Sequence, residues 1–241
     1  MTKFNFPIKY IILFLAVCLV AVFTYPYLFS PETNETVKVT TDVLATTDYG
    51  NVTREGPYGN ASSPVKVAYI VGVHPLEHIS HEDVVKAVKK LDKSLRYCYY
   101  IYQVNVTGGV NAGYETGRMN GQLLALRYVV PDILENNYQL AVDIHSNKGR
   151  DDYYAVSWFL FVPYNDDRTN RIAQELRDKI PGIGYYEPPI ATSPEYVTVP
   201  LIRNGTPAIL YEAYEYESLE TGQDQAEQLL RAVDSTGLGS R

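Results

Sequence analysis

What most constrains this chain is a set of apolar, β-forming runs that each stop on a residue suited to chemistry. Val65-Lys66-Val67-Ala68-Tyr69-Ile70-Val71-Gly72-Val73 stops at His74, Tyr138 to Ile144 stops at His145, and Pro207-Ala208-Ile209-Leu210-Tyr211 stops at Glu212. Nearly continuous apolar runs read as strands covered on both faces. Segments of helical periodicity lie between them. Val84, Val85, Val88 and Leu91 follow the first run, and Ser80 with Asp83 three residues on reads as a capping box opening that helix. Leu123, Leu124, Leu126 and Val130 mark a second helix over about 120–134, which Pro131 is expected to kink or shorten. Arg96 to Val106 and Val156 to Val162 read as further strands, 166–180 as an amphipathic helix and 221–233 as the last one. Strands alternating with helices predict an α/β fold, a three-layer sandwich around a mainly parallel, mixed central sheet. In such sheets the working residues gather just beyond the carboxyl ends of the strands. His74, His145 and Glu212 all fall there.

The residue types at those ends suit a metal. Histidine is scarce, with only His74, His78, His81 and His145 in the chain. Two imidazoles and one carboxylate are a fitting set for Zn²⁺ in a catalytic site, which keeps a fourth position open. His74 at a strand end and Glu77 one tight turn later can point at one ion, with His145 as the third ligand. Asp143, two residues before His145, shares its face of the strand and can orient the imidazole from behind. A zinc-activated water needs a general base, and Glu212 fills that role. Arg118, in Thr116-Gly117-Arg118-Met119-Asn120-Gly121-Gln122, is the candidate for stabilising a developing oxyanion and for holding substrate, with Asn120 assisting. His78 and His81 read as ordinary surface or core residues. His74-Pro75-Leu76-Glu77-His78 also matches the His-x-x-Glu-His pattern of the inverted zinc proteases. That geometry needs one helix carrying all three residues, whereas here a strand runs into His74 and Pro75 favours an extended His74.

The N-terminal part has a different character. Tyr10 to Phe29 is an almost unbroken apolar stretch, about the 20 residues needed to cross a bilayer at about 1.5 Å per residue. Lys3 and Lys9 precede it and no Lys or Arg follows before Lys38, which predicts an N-terminus inside the cell and the remainder outside. Residues 30–64 are rich in Thr, Asn, Ser, Gly and Pro and read as an extracellular linker, with sequons at Asn34, Asn51 and Asn60. The expected organisation is thus a cytoplasmic stub over 1–9, a transmembrane helix over 10–29, a linker over 30–64 and a catalytic domain over 65–241, at the cell membrane. Only Cys18 and Cys98 are present, and Cys18 lies in the apolar stretch, so the domain has no internal disulfide. A formal net charge of -7 argues against a nucleic-acid partner.

Gly72-Val73-His74-Pro75-Leu76-Glu77, Asp143-Ile144-His145-Ser146 and Pro207-Ala208-Ile209-Leu210-Tyr211-Glu212 together resemble the zinc carboxypeptidase superfamily, including its succinylglutamate desuccinylase and aspartoacylase branch. The resemblance implies His74, Glu77 and His145 as zinc ligands and Glu212 as the base, acting on a peptide or an acyl-amino acid. It departs from the digestive-type pattern in two ways. The interval from Glu77 to His145 is short, and the Asn-Arg pair that grips a terminal carboxylate is not plainly present, Arg118-Met119-Asn120 being a loose substitute. A carboxypeptidase, an amidohydrolase and a non-catalytic binding domain that kept the fold all remain open on the sequence.

Overall fold

A computed structural model describes residues 37–107, 113–152, 154–189 and 192–239. The expected transmembrane helix over 10–29 lies outside these residues. Among the described residues no helix is long and apolar enough to cross a membrane.

The strands are β1 (Thr40–Thr47), β2 (Gly50–Gly59), β3 (Lys66–Val71), β4 (Cys98–Val106), β5 (Leu140–Asn147), β6 (Phe159–Phe161), β7 (Gly184–Tyr185) and β8 (Ala208–Tyr214). They form one sheet in the order β1-β2-β4-β3-β5-β8-β6-β7. The centre, β4-β3-β5-β8, is parallel throughout. The antiparallel pairings are β1 with β2, β2 with β4 and β6 with β8, so the sheet is mixed as expected.

Helices cover both faces because the central strands are apolar on both. In β3, Val67, Tyr69 and Val71 face one layer, built by α1 (His78–Leu91), α4 (Asp167–Lys179) and α6 (Leu219–Ser235). Ala68 and Ile70 face the other, built by α2 (Tyr114–Leu124), α3 (Val130–Glu135) and α5 (Thr198–Arg203). A π-helical turn, Ala125–Val129, joins α2 to α3. Pro131 sits in the first turn of α3, where its missing N–H costs least, and the π turn takes up the local mismatch.

Three sequence expectations are corrected. The linker assigned to 30–64 is not a linker over Thr40–Gly59, which pairs as the hairpin β1–β2 and adds two strands to the sheet. The compact unit therefore begins at Lys38 rather than Val65. β1 is an edge strand with its first four residues exposed, so it carries no apolar alternation to read. The Arg54 guanidinium ties the hairpin down by reaching Asp132 of α3 at 3.0 Å and Asp42 at 2.8 Å. Secondly, α1 starts at His78 with Glu77 as its N-cap, without a capping box. The turn closed by Glu77 N–H donating to the His74 carbonyl runs straight into the helix, leaving Ser80 and Asp83 inside it. Thirdly, α5 has no counterpart in the sequence expectations; it is a short helix, below the length at which periodicity is legible.

Candidate metal centre

The carboxyl ends of β3, β5 and β8 meet on the side of the sheet that α2 covers. After β3, Gly72 takes φ +84°, with its Cα so close to β4 that a Cβ would lie 2.1 Å from the Val104 carbonyl oxygen. The chain then turns, buries Val73 and His74, and leaves Glu77 facing back over the strand ends. α2 presses onto this turn through Gly121, where a Cβ would lie 2.0 Å from the Val73 carbonyl oxygen. The same helix carries Arg118 and Gln122, four positions apart on one face.

His74, Glu77 and His145 converge. Their ligand atoms all lie within 4.8 Å of one another. His74 Nδ1 stands 2.9 Å from Glu77 Oε1, and His145 Nδ1 stands 2.8 Å from Glu77 Oε2. The two rings meet edge to face with centroids 4.5 Å apart. His145 is held from behind, as its sequence position suggested: Asp143 Oδ2 lies 3.1 Å from Nε2. That contact is an ion-pair distance with the N–H not aimed at the oxygen, and it acts electrostatically; Asp143 is fully buried, and among the described residues neither of its oxygens finds a hydrogen-bond donor.

The electrostatics follow from this packing. Burial opposes ionisation of Glu77, but His74 and His145 outweigh it and hold the carboxyl well below its usual range. Burial likewise opposes the His145 cation, but Asp143 and Glu77 raise its pKa well above the usual imidazole value. Burial dominates at His74 and lowers its pKa, with His145 and Arg118 adding to the effect against Glu77. Asp143 and Glu77 thus bring two acidic side chains to a buried pocket where a charge without a partner is costly, and His145 and Arg118 are the positive groups that face them. A divalent cation between two imidazole nitrogens and a carboxylate oxygen would take over from the His145 proton, and the donor set suits zinc. The residues present fit a metal.

Glu212 faces the same space. It is inside β8, buried, directly across the sheet from His145 in the parallel register. Burial, aided by the Glu77 charge, pushes its carboxyl up to about 8. The Asn147 amide donates to Glu212 Oε2 at 3.1 Å and also reaches the carbonyls of Ser157 and Ala213, while its Oδ1 accepts from Gly149 N–H. Arg118 Nη1 donates to Glu77 Oε1 at 3.1 Å and to the Tyr114 hydroxyl at 3.0 Å.

These groups open onto a cleft of about 430 Å³ whose lining includes His74, Glu77, Arg118, Ser146, Asn147 and Glu212. That size suits a small-molecule or peptide-end site. Asn120 does not line it, because two positions along a helix from Arg118 is the wrong side. His78 is exposed, and His81 is buried with Nε2 on the Ile144 carbonyl, so both are outside the cluster.

Two residues escaped the sequence reading. Asn147 extends the alternation Asp143, His145 on one strand face, which is the signal that would have found it. Gln122 shares the Arg118 face of α2. Its Nε2 lies 3.0 Å from His74 Nε2 and donates to Thr192 Oγ1 at 3.0 Å.

No family model and no curated protein matches the sequence. Solved structures do match. A metallo-carboxypeptidase from Burkholderia cenocepacia is 15% identical with a TM-score of 0.54, over 89% of this chain and 67% of that one. The fold is that of the metallo-carboxypeptidases. A metallo-carboxypeptidase from Pseudomonas aeruginosa, solved with (2-guanidinoethylmercapto)succinic acid, gives 14% identity and a TM-score of 0.51 over 83% of this chain. The cell shape determinant Csd4 of Helicobacter pylori, solved with a tripeptide, gives 10% identity and 0.53 over 76%. This chain spans 63% of the length of the Pseudomonas metallo-carboxypeptidase and 54% of Csd4.

Proposed function

We propose that this chain is a zinc-dependent hydrolase that cleaves a peptide or amide bond, taking a peptide or an acyl-amino acid as substrate. The observation that carries the proposal is the convergence of His74, Glu77 and His145 on one point beneath a cleft that also holds Glu212. His74, Glu77 and His145 would hold the ion. Zinc supplies Lewis acidity there, lowering the pKa of a water to about 7 and polarising a carbonyl oxygen. Glu212 accepts the proton of the attacking water and passes it to the leaving nitrogen. The Asn147 amide holds Oε2 of this cleft-lining carboxyl in place. Arg118, at the cleft wall, offers its guanidinium to the developing oxyanion.

The same proposal sets the catalytic domain outside the cell on a single anchor over 10–29. It is supported by the apolar run and by Lys3 and Lys9 before it, with no Lys or Arg after it until Lys38. Protease treatment of intact cells should then remove the domain.

Elemental analysis of the purified protein, followed by a screen of peptides and acyl-amino acids, tests the enzymatic proposal. One zinc per chain and turnover are expected. Zinc without turnover would leave a tethered binding domain that kept the fold. No zinc, even when supplied, would overturn the proposal.

A further inference from the structure

The two imidazoles of the cluster are backed by different chemistry. His145 Nε2 faces a carboxylate, Asp143, whereas His74 Nε2 faces a carboxamide, Gln122. Gln122 is buried, so its amide must find partners within the protein.

His74 Nδ1 lies 2.9 Å from Glu77 Oε1 and so points at the cluster, while Nε2 points away from it, 3.0 Å from the Gln122 amide, which is itself tied to Thr192 Oγ1 at 3.0 Å. A metal held through Nδ1 puts the ring proton on Nε2, and Nε2–H then needs an acceptor. A half-turn of the Gln122 amide supplies Oε1, which accepts from His74 Nε2–H and from the Thr192 hydroxyl.

We infer that Gln122 is a positioning residue for metal loading, holding the His74 ring at the angle that aims Nδ1 at the cluster. This rests on the proposed metal site. Outer partners of ligand histidines are worth about 10–100-fold in metal affinity.

The test is zinc affinity of the full chain by competition with a chelating indicator, for wild type, Gln122→Met and Gln122→Glu. Methionine keeps the volume and removes the amide. Gln122→Met is expected to weaken zinc about 10–100-fold at an unchanged cooperative fold. Gln122→Glu keeps an acceptor for His74 Nε2–H and is expected to bind zinc at least as tightly as wild type. Equal affinities across the three proteins, or an equal loss in both variants, would overturn the inference while leaving the metal site standing. A wild type that binds no zinc would remove the metal site itself.

Discussion

His145 of β5 and Glu212 of β8 stand opposite each other in a parallel register, the proposed ligand and the proposed base on adjacent strands. Neighbouring strands lie about 4.8 Å apart, so the sheet itself sets the spacing between the metal position and the base. Neither side chain depends on a loop for its place.

The first consequence concerns metal. His145→Ala and His74→Ala should each abolish stoichiometric zinc, because each removes one of three protein ligands. Elemental analysis beside the wild type reads this directly. Retention of one zinc by His145→Ala would move the site elsewhere.

Glu212→Gln should keep zinc and lose turnover by about 10²–10⁴-fold, the usual contribution of a general base. A comparable rate in wild type and variant would remove Glu212 from the chemistry.

The same variant has a signature in the metal-free protein. The folded-state pKa of Glu212 is raised from 4.5 to about 8. Between those values the folded chain keeps a proton that the unfolded chain has released. Its contribution is therefore fully present below pH 4.5, and falls as pH rises through the window by about 1.4 kcal/mol per unit. Glu212→Gln cannot titrate. In urea unfolding after metal removal, the wild type should lose stability relative to Glu212→Gln from pH 5 to pH 8, by a few kcal/mol in total. A constant difference between the two proteins would show that Glu212 titrates normally.

Gly121→Ala should be severely destabilising, since its Cβ would lie 2.0 Å from a backbone oxygen that cannot move aside cheaply. The helix must shift off the His74 turn, and overpacking of this kind costs about 1–3 kcal/mol or more. Thermal unfolding measures the loss, and zinc affinity should fall with it because α2 carries Gln122. A variant as stable as the wild type would mean that α2 packs differently from the arrangement described.

A chain begun at Val65 should fold poorly compared with one begun before Thr40. It lacks β1 and β2, leaves the long strand β4 as an open edge, and strips Arg54 from Asp132. Size-exclusion chromatography of the two chains distinguishes the outcomes, and a monomeric, stable chain from Val65 would restore the linker assignment.

Much of this was legible in the sequence. The apolar runs into His74, His145 and Glu212 determined the central parallel strands, because a strand buried on both faces has few alternatives. The scarcity of histidine singled out the cluster, and the period of two along β5 tied Asp143 to His145. The edge hairpin was illegible, because β1 is stabilised by partners far away in sequence and buries little of its own. Only the tertiary structure decided that Gln122 of α2 backs His74, that Asn147 holds Glu212, and that Asn120 turns away. Those contacts depend on how closely a helix approaches a strand end, here fixed by a glycine against a carbonyl, and no local pattern encodes that distance.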